Sequence, residues 1–134
     1  MAPERCLEHH LGMIKLLVVD DSELIRSRFV GWLQGIPGMS DIDTAGTLEQ
    51  TLSRVEAGRH SLVILDLNLP DGNAIQIIPT LRQLAPDMQI VVLTNDASDF
   101  NRDKCMQAGA DSFFDKSREF EKVLVLIQLK AALH

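Results

Sequence analysis

The sequence is poor in the features that mark specialised classes. It has two cysteines, Cys6 and Cys105. They show neither metal-ligand spacing nor a disulfide framework, which excludes a small zinc module or a stapled mini-domain and points to a reducing cytoplasm. No apolar run reaches the roughly 18 residues that a membrane span needs. The opening MAPERCLEHHLG lacks the apolar centre of a signal peptide. Basic residues are outnumbered 13 to 19, for a net charge of −6. A nucleic-acid surface needs clustered Lys and Arg, so this domain is not expected to bind one. No repeat, low-complexity tract or interdomain linker follows residue 13.

What is present is ordinary globular material: 134 residues, 46% hydrophobic and 24% charged, enough for one domain with a proper core. Residues 1–12 are expected to be a flexible extension, with His9 and His10 in solvent, and residues 13–134 to be one domain. Apolar runs then alternate with amphipathic stretches. Ile14–Val19 reads as a strand buried on both faces. Ser22 caps a helix with an apolar stripe of Ile25, Phe29, Trp32, Leu33 and Ile36, which places Trp32 in the core. Gly35, Pro37 and Gly38 end it. Ile42–Ala45 is a weaker strand, and Thr47 with Gln50 forms a capping box for the next helix. Leu62–Leu65 is a third strand. Asn73–Leu84 is a helix that Pro79 should kink or shorten. Gln89–Leu93, Ser98–Ala108 and Ser112–Phe114 continue the alternation, and Ser117 is placed as the cap of a last helix. Strands this apolar must be covered on both sides. The expected fold is α/β: a doubly wound, five-stranded parallel sheet with helices on both faces.

Ligands in such a sheet bind beyond the carboxyl ends of the strands, near the point where strand order reverses. Asp20 and Asp21 follow the first strand there, Asp66 the third, Thr94 the fourth and Lys116 the fifth. Three convergent carboxylates repel one another unless a cation neutralises them, and an all-oxygen donor set suits Mg²⁺. A metal beside one carboxylate, with a hydroxyl and an ammonium at hand, supplies what phosphoryl transfer to an aspartate requires. Each residue also has a bland reading. The acidic pair favours a helix N-terminus, Asp66 ends a strand, and Thr94 and Lys116 are individually uninformative. Their joint occurrence at successive strand ends outweighs these readings.

The segments LLVVDDS, LVILDLNLPDGN, VVLTND and FFDKS resemble, in order and spacing, the four signature segments of bacterial response-regulator receiver domains, over about residues 13–134. The resemblance implies strand order 2-1-3-4-5 and a partner sensor histidine kinase or histidine phosphotransfer protein. It implies Asp66 as phosphoacceptor and Mg²⁺ held by Asp20, Asp21, Asp66 and the backbone carbonyl of Asn68. Thr94 and Lys116 would meet the phosphoryl oxygens. Phe113 falls at the aromatic switch position, where a ring moves inward as the threonine moves; static core is its bland reading. Two departures stand out. Ser117 replaces the usual proline after the lysine, so a cis bond is not expected there. Asn95 replaces the usual small residue after the threonine.

The last helix carries Phe120, Val123, Leu124, Ile127 and Ala131 on one stripe, with Val125, Leu126, Leu129 and Leu133 largely off it. Both sets cannot face one sheet, so the outer set is expected to bind a partner, a second copy of the chain or a downstream target. The resemblance leaves a stand-alone receiver and a fragment of a longer regulator equally open. Competing readings are a receiver-like scaffold that takes no phosphate, an aspartate-nucleophile phosphatase and a flavodoxin-like electron carrier. The phosphatase wants an acid where Asn68 stands, and an amide gives up no proton. The carrier wants a Ser/Thr/Gly-rich phosphate loop where DDSELIR stands.

Overall fold

The computed structural model describes residues 14–133; the expected extension, with Cys6, His9 and His10, lies outside the described residues. Five parallel strands, β1 (Ile14–Val19), β2 (Met39–Ala45), β3 (Leu62–Leu65), β4 (Gln89–Thr94) and β5 (Ser112–Asp115), form one sheet in the order 2-1-3-4-5. The helices between and after them are α1 (Glu23–Leu33), α2 (Leu48–Ala57), α3 (Ile78–Leu84), α4 (Asp99–Ala108) and α5 (Phe120–Leu133).

Side chains alternate across the strands and so divide the core in two. Leu16, Val18, Leu62, Ile64, Val91 and Leu93 pack under Phe29 and Leu33 of α1 and Val123 and Ile127 of α5. Leu17, Val19, Val63, Leu65, Ile90, Val92 and Phe113 pack on the other face, with residues of α2, α3 and α4. At about 1.5–3 kcal/mol for each fully buried large side chain, these two layers supply the main stabilisation. Strand order reverses between β1 and β3, and the gap at their carboxyl ends is where a site can form.

Four local expectations need correction. Trp32 is 51% exposed. It lies about 60° around the helix from Phe29, so its ring sits at the stripe's margin, edge-on to Phe29 and Phe120 at 6.0 and 5.1 Å between centroids. Strand β2 starts at Met39, not Ile42, because this edge strand pairs with β1 from its first residue despite carrying exposed polar side chains. The Asn73–Leu84 segment divides into a 3-10 turn, Ala74–Ile77, and α3, with Pro79 in the first turn of α3 where its missing N–H costs nothing. Ser117 does not cap α5: its N–H and Oγ both donate to Asp115 Oδ1, at 3.0 and 2.8 Å, and the helix begins at Phe120.

At the end of the sheet away from the Asp cluster, Arg82 of α3 donates to the carbonyls of Pro86, Met88 and Gly109 and to Asp111 Oδ2. Asp111 Oδ2 also accepts the Ile90 N–H at 2.7 Å. Gly109, at φ 122°, adopts a backbone conformation that L side chains rarely take and so closes α4. No helix among the described residues is long and apolar enough to cross a membrane.

Candidate functional site

The strand ends deliver the expected residues to one place. The Asp20 N–H donates to Ala45 O and the Asp66 N–H to Val19 O, each at 3.1 Å, so the sheet ladder itself fixes both backbones. The Lys116 N–H donates to Thr94 O at 2.9 Å, which ties the ends of β4 and β5. Asp20 and Asp66 are buried and Asp21 is exposed. One carboxylate oxygen from each of the three lies within 4.8 Å of the others.

Lys116 bridges the two buried carboxylates, with Nζ 2.5 Å from Asp20 Oδ2 and 2.9 Å from Asp66 Oδ2. Burial pulls the ammonium's pKa down, but its hydrogen bonds to Asp20 and Asp66, and their charges, outweigh this and hold it above the usual lysine value. Asp20 Oδ1 accepts the Ser22 N–H at 2.9 Å, and Asp66 Oδ1 accepts the Leu67 N–H at 2.8 Å. Three carboxylates against one ammonium leave an excess of negative charge. The donors are all hard oxygens, gathered closely enough for one small cation to draw them in, so the chemistry of the residues present fits Mg²⁺.

Thr94 is fully buried, and its Oγ1 accepts the Asp96 N–H at 3.1 Å. Asn95 is exposed immediately after it. Asn68, also exposed, stands in a two-residue hairpin with Asn73, just beyond Asp66. Phe113 is buried under the Arg102 guanidinium, 4.9 Å from the ring centroid. Every described peptide bond is trans, including the one after Lys116.

Sequence reasoning missed two supports. Arg26 Nη1 donates to Asp20 O at 2.6 Å, passing so close to Gly46 that a Cβ there would lie 2.8 Å from it. Its only signal is an arginine in the second turn after an acidic strand end. Asp71, in the hairpin beyond Asp66, accepts the Leu48 and Glu49 N–H groups at 2.8 and 3.1 Å. These bonds, the Leu48 one foremost, hold its carboxyl below the usual range. The capping box also differs in detail. Thr47 Oγ1 accepts the Gln50 N–H as expected, but Gln50 Oε1 reaches back to the N–H of Gly46.

A doubly wound sheet with an acidic cluster at its switch point defines a class, and comparison with known proteins gives the class a family. The profile described as the response regulator receiver domain matches residues 16–128. The chain belongs to that family. It is 34% identical over 104 residues to the DNA-binding transcriptional activator DevR/DosR of Mycobacterium tuberculosis, covering 78% of this chain and 48% of that protein. To the response regulator GacA of Pseudomonas aeruginosa it is 29% identical, covering 87% and 54%. The chain therefore spans about half the length of these relatives. A Burkholderia pseudomallei response regulator, solved with a phosphorylated aspartic acid, calcium and citrate, superposes with a TM-score of 0.78 at 27% identity, over 89% of this chain and 69% of that one. The BeF3-activated receiver domain DrrB gives 0.76 at 27% identity, over 88% and 97%. The family and these relatives place the chain among the receivers of two-component signalling.

Proposed function

We propose that residues 13–134 act as a phosphorylation switch with Asp66 as acceptor. A carboxylate oxygen of Asp66 attacks the phosphorus of a phosphohistidine on a sensor kinase or phosphotransfer protein. The P–N bond breaks and the imidazole leaves, taking up a proton. Asp20, Asp21, Asp66 and the Asn68 carbonyl would hold Mg²⁺, which supplies charge neutralisation for the transferred oxygens. Lys116 keeps its proton and offers it to those oxygens as a hydrogen-bond donor. Thr94 Oγ1, released from the Asp96 N–H, turns toward them, and Phe113 fills the space behind. Slow loss of the phosphoryl group to water returns the switch. The output is a protein contact through α4, β5 and α5, made to a second copy, a separate target or an attached output domain. A cytoplasmic location accords with this partner set.

One observation carries the reading: the nearly buried Asp66 carboxylate lies within 2.9 Å of an ammonium and beside two further carboxylates. The test is intact mass after acetyl phosphate with Mg²⁺, beside D66N and an EDTA control. One phosphoryl group is expected on the wild type and none in either control. No adduct on the wild type, with beryllofluoride also without effect, would leave the chain a receiver-like scaffold.

A further inference from the structure

Phe113 lies in the layer shared with Val92, Cys105 and Ala110. In the β4–β5 register it stands opposite Val92, and Thr94 is two residues further along β4. Ring and hydroxyl therefore belong to the same face of the sheet. A phenylalanine has no hydroxyl with which to fix itself in either position. Its seat is decided by packing and by whatever lies over the ring.

Arg102 lies over it. This residue of the first turn of α4 holds its guanidinium 4.9 Å from the ring centroid, and its Nη1 donates to the carbonyl of Phe113 at 3.2 Å. One side chain thus grips the residue twice, the ring through its quadrupole and the backbone through a hydrogen bond. The Glu119 carboxyl, just ahead of α5, is held below its usual range first by the Asp115 N–H and then by Lys122.

We propose that Arg102 is a positioning residue that holds Phe113 inward and so pre-sets the aromatic half of the switch. The proposal rests on the reading of Asp66 as phosphoacceptor. If the inward ring belongs to the phosphorylated arrangement, a clamp on that ring moves part of the conformational work ahead of phosphorylation. Affinity for a phosphoryl mimic then rises with the fraction of molecules already arranged for it.

The experiment is a beryllofluoride titration with Mg²⁺, followed by amide NMR, on wild type, R102A and R102K. For R102A the half-saturating concentration is expected to rise about three- to fivefold, the scale of one cation–π contact at a part-exposed site. R102K is expected to fall between, since an ammonium keeps the charge over the ring but lacks the planar fork. Amide exchange at Phe113 and Phe114 is expected to quicken in R102A, with the melting temperature little changed. Equal half-saturation in all three proteins would overturn the proposal. So would unchanged exchange at Phe113, or weakened binding that merely tracks a fall in melting temperature. A wild type silent to beryllofluoride would instead overturn the reading of Asp66, and the exchange at Phe113 would still judge the clamp.

Discussion

Asn95 stands where the receiver resemblance implies a small residue after the threonine. It is exposed and follows directly on Thr94. If Asp66 carries a phosphoryl group, a side chain of this size beside Thr94 would restrict the approach of water to phosphorus. N95A is therefore expected to lose its phosphoryl group several-fold faster than the wild type, measured as decay of the intact-mass adduct after the donor is removed. Equal or slower decay in the variant would refute the shielding role. The principal residues of the site were legible in the sequence because each sits at the end of an apolar run, and the runs mark the strand ends. Arg26 was not legible: its hydrogen bond to Asp20 O depends on how α1 leans on the β1–β2 edge. Ser117 was misread because Asp115, two residues back, competes for its hydroxyl.

Among the elements, α2 is held in an unusual way. Its first free N–H groups are satisfied from two places, Thr47 locally and Asp71 from the hairpin beyond Asp66. The cap thus joins the hairpin beyond Asp66 to the start of α2. Asp71 has a folded-state pKa below the unfolded value. Its stabilising contribution is therefore present above about pH 4, the unfolded carboxylate value, and is lost as pH falls through the lower folded value. D71N is expected to melt below the wild type at pH 7, with the gap closing as pH falls below about 4. A gap that stays constant over that range would show that the carboxylate charge does not matter to the cap. No sequence pattern could reveal this bond, since 23 residues separate Asp71 from Leu48. The α3 segment was half legible: Pro79 marked the break, but the 3-10 turn preceding it gave no signal of its own.

For the molecule as a whole, the arrangement of exposed apolar groups matters more than their number. Val125, Leu129 and Leu133 form an outward row on α5, at 52%, 58% and 82% exposure, beside the charged ends of Lys122 and Lys130. The inner stripe of Val123, Ile127 and Ala131 is buried as its periodicity implies, but Leu126, expected in the outer set, is half-buried and packs against the inner cluster. If the outer row joins two copies, beryllofluoride should raise the light-scattering mass of the wild type toward a dimer, and L129E should remain a monomer. A surface change of this kind should alter stability by no more than about 0.5 kcal/mol. A wild type that stays monomeric at high concentration in both states would leave a separate target or an attached output domain as the user of the row.

The Arg82 network gives the two ends of α4 different mechanical standing. At its C-terminal end the helix closes on Gly109, whose carbonyl is fastened through the guanidinium to the starts of β4 and β5. At its N-terminal end it is held by the Ser98 cap and by Asn101 bonded to Asp96 O, within the loop that follows Thr94, and by Arg102 bonded to the Phe113 carbonyl of β5. The helix is thus fastened to the starts of two strands at its heel, and to its own loop and β5 at its toe. Arg102 and Phe100 ride on that toe, one turned to the sheet and the other to solvent. A displacement of the Thr94 loop that carried this toe would move both residues together, one against the sheet and one at the surface.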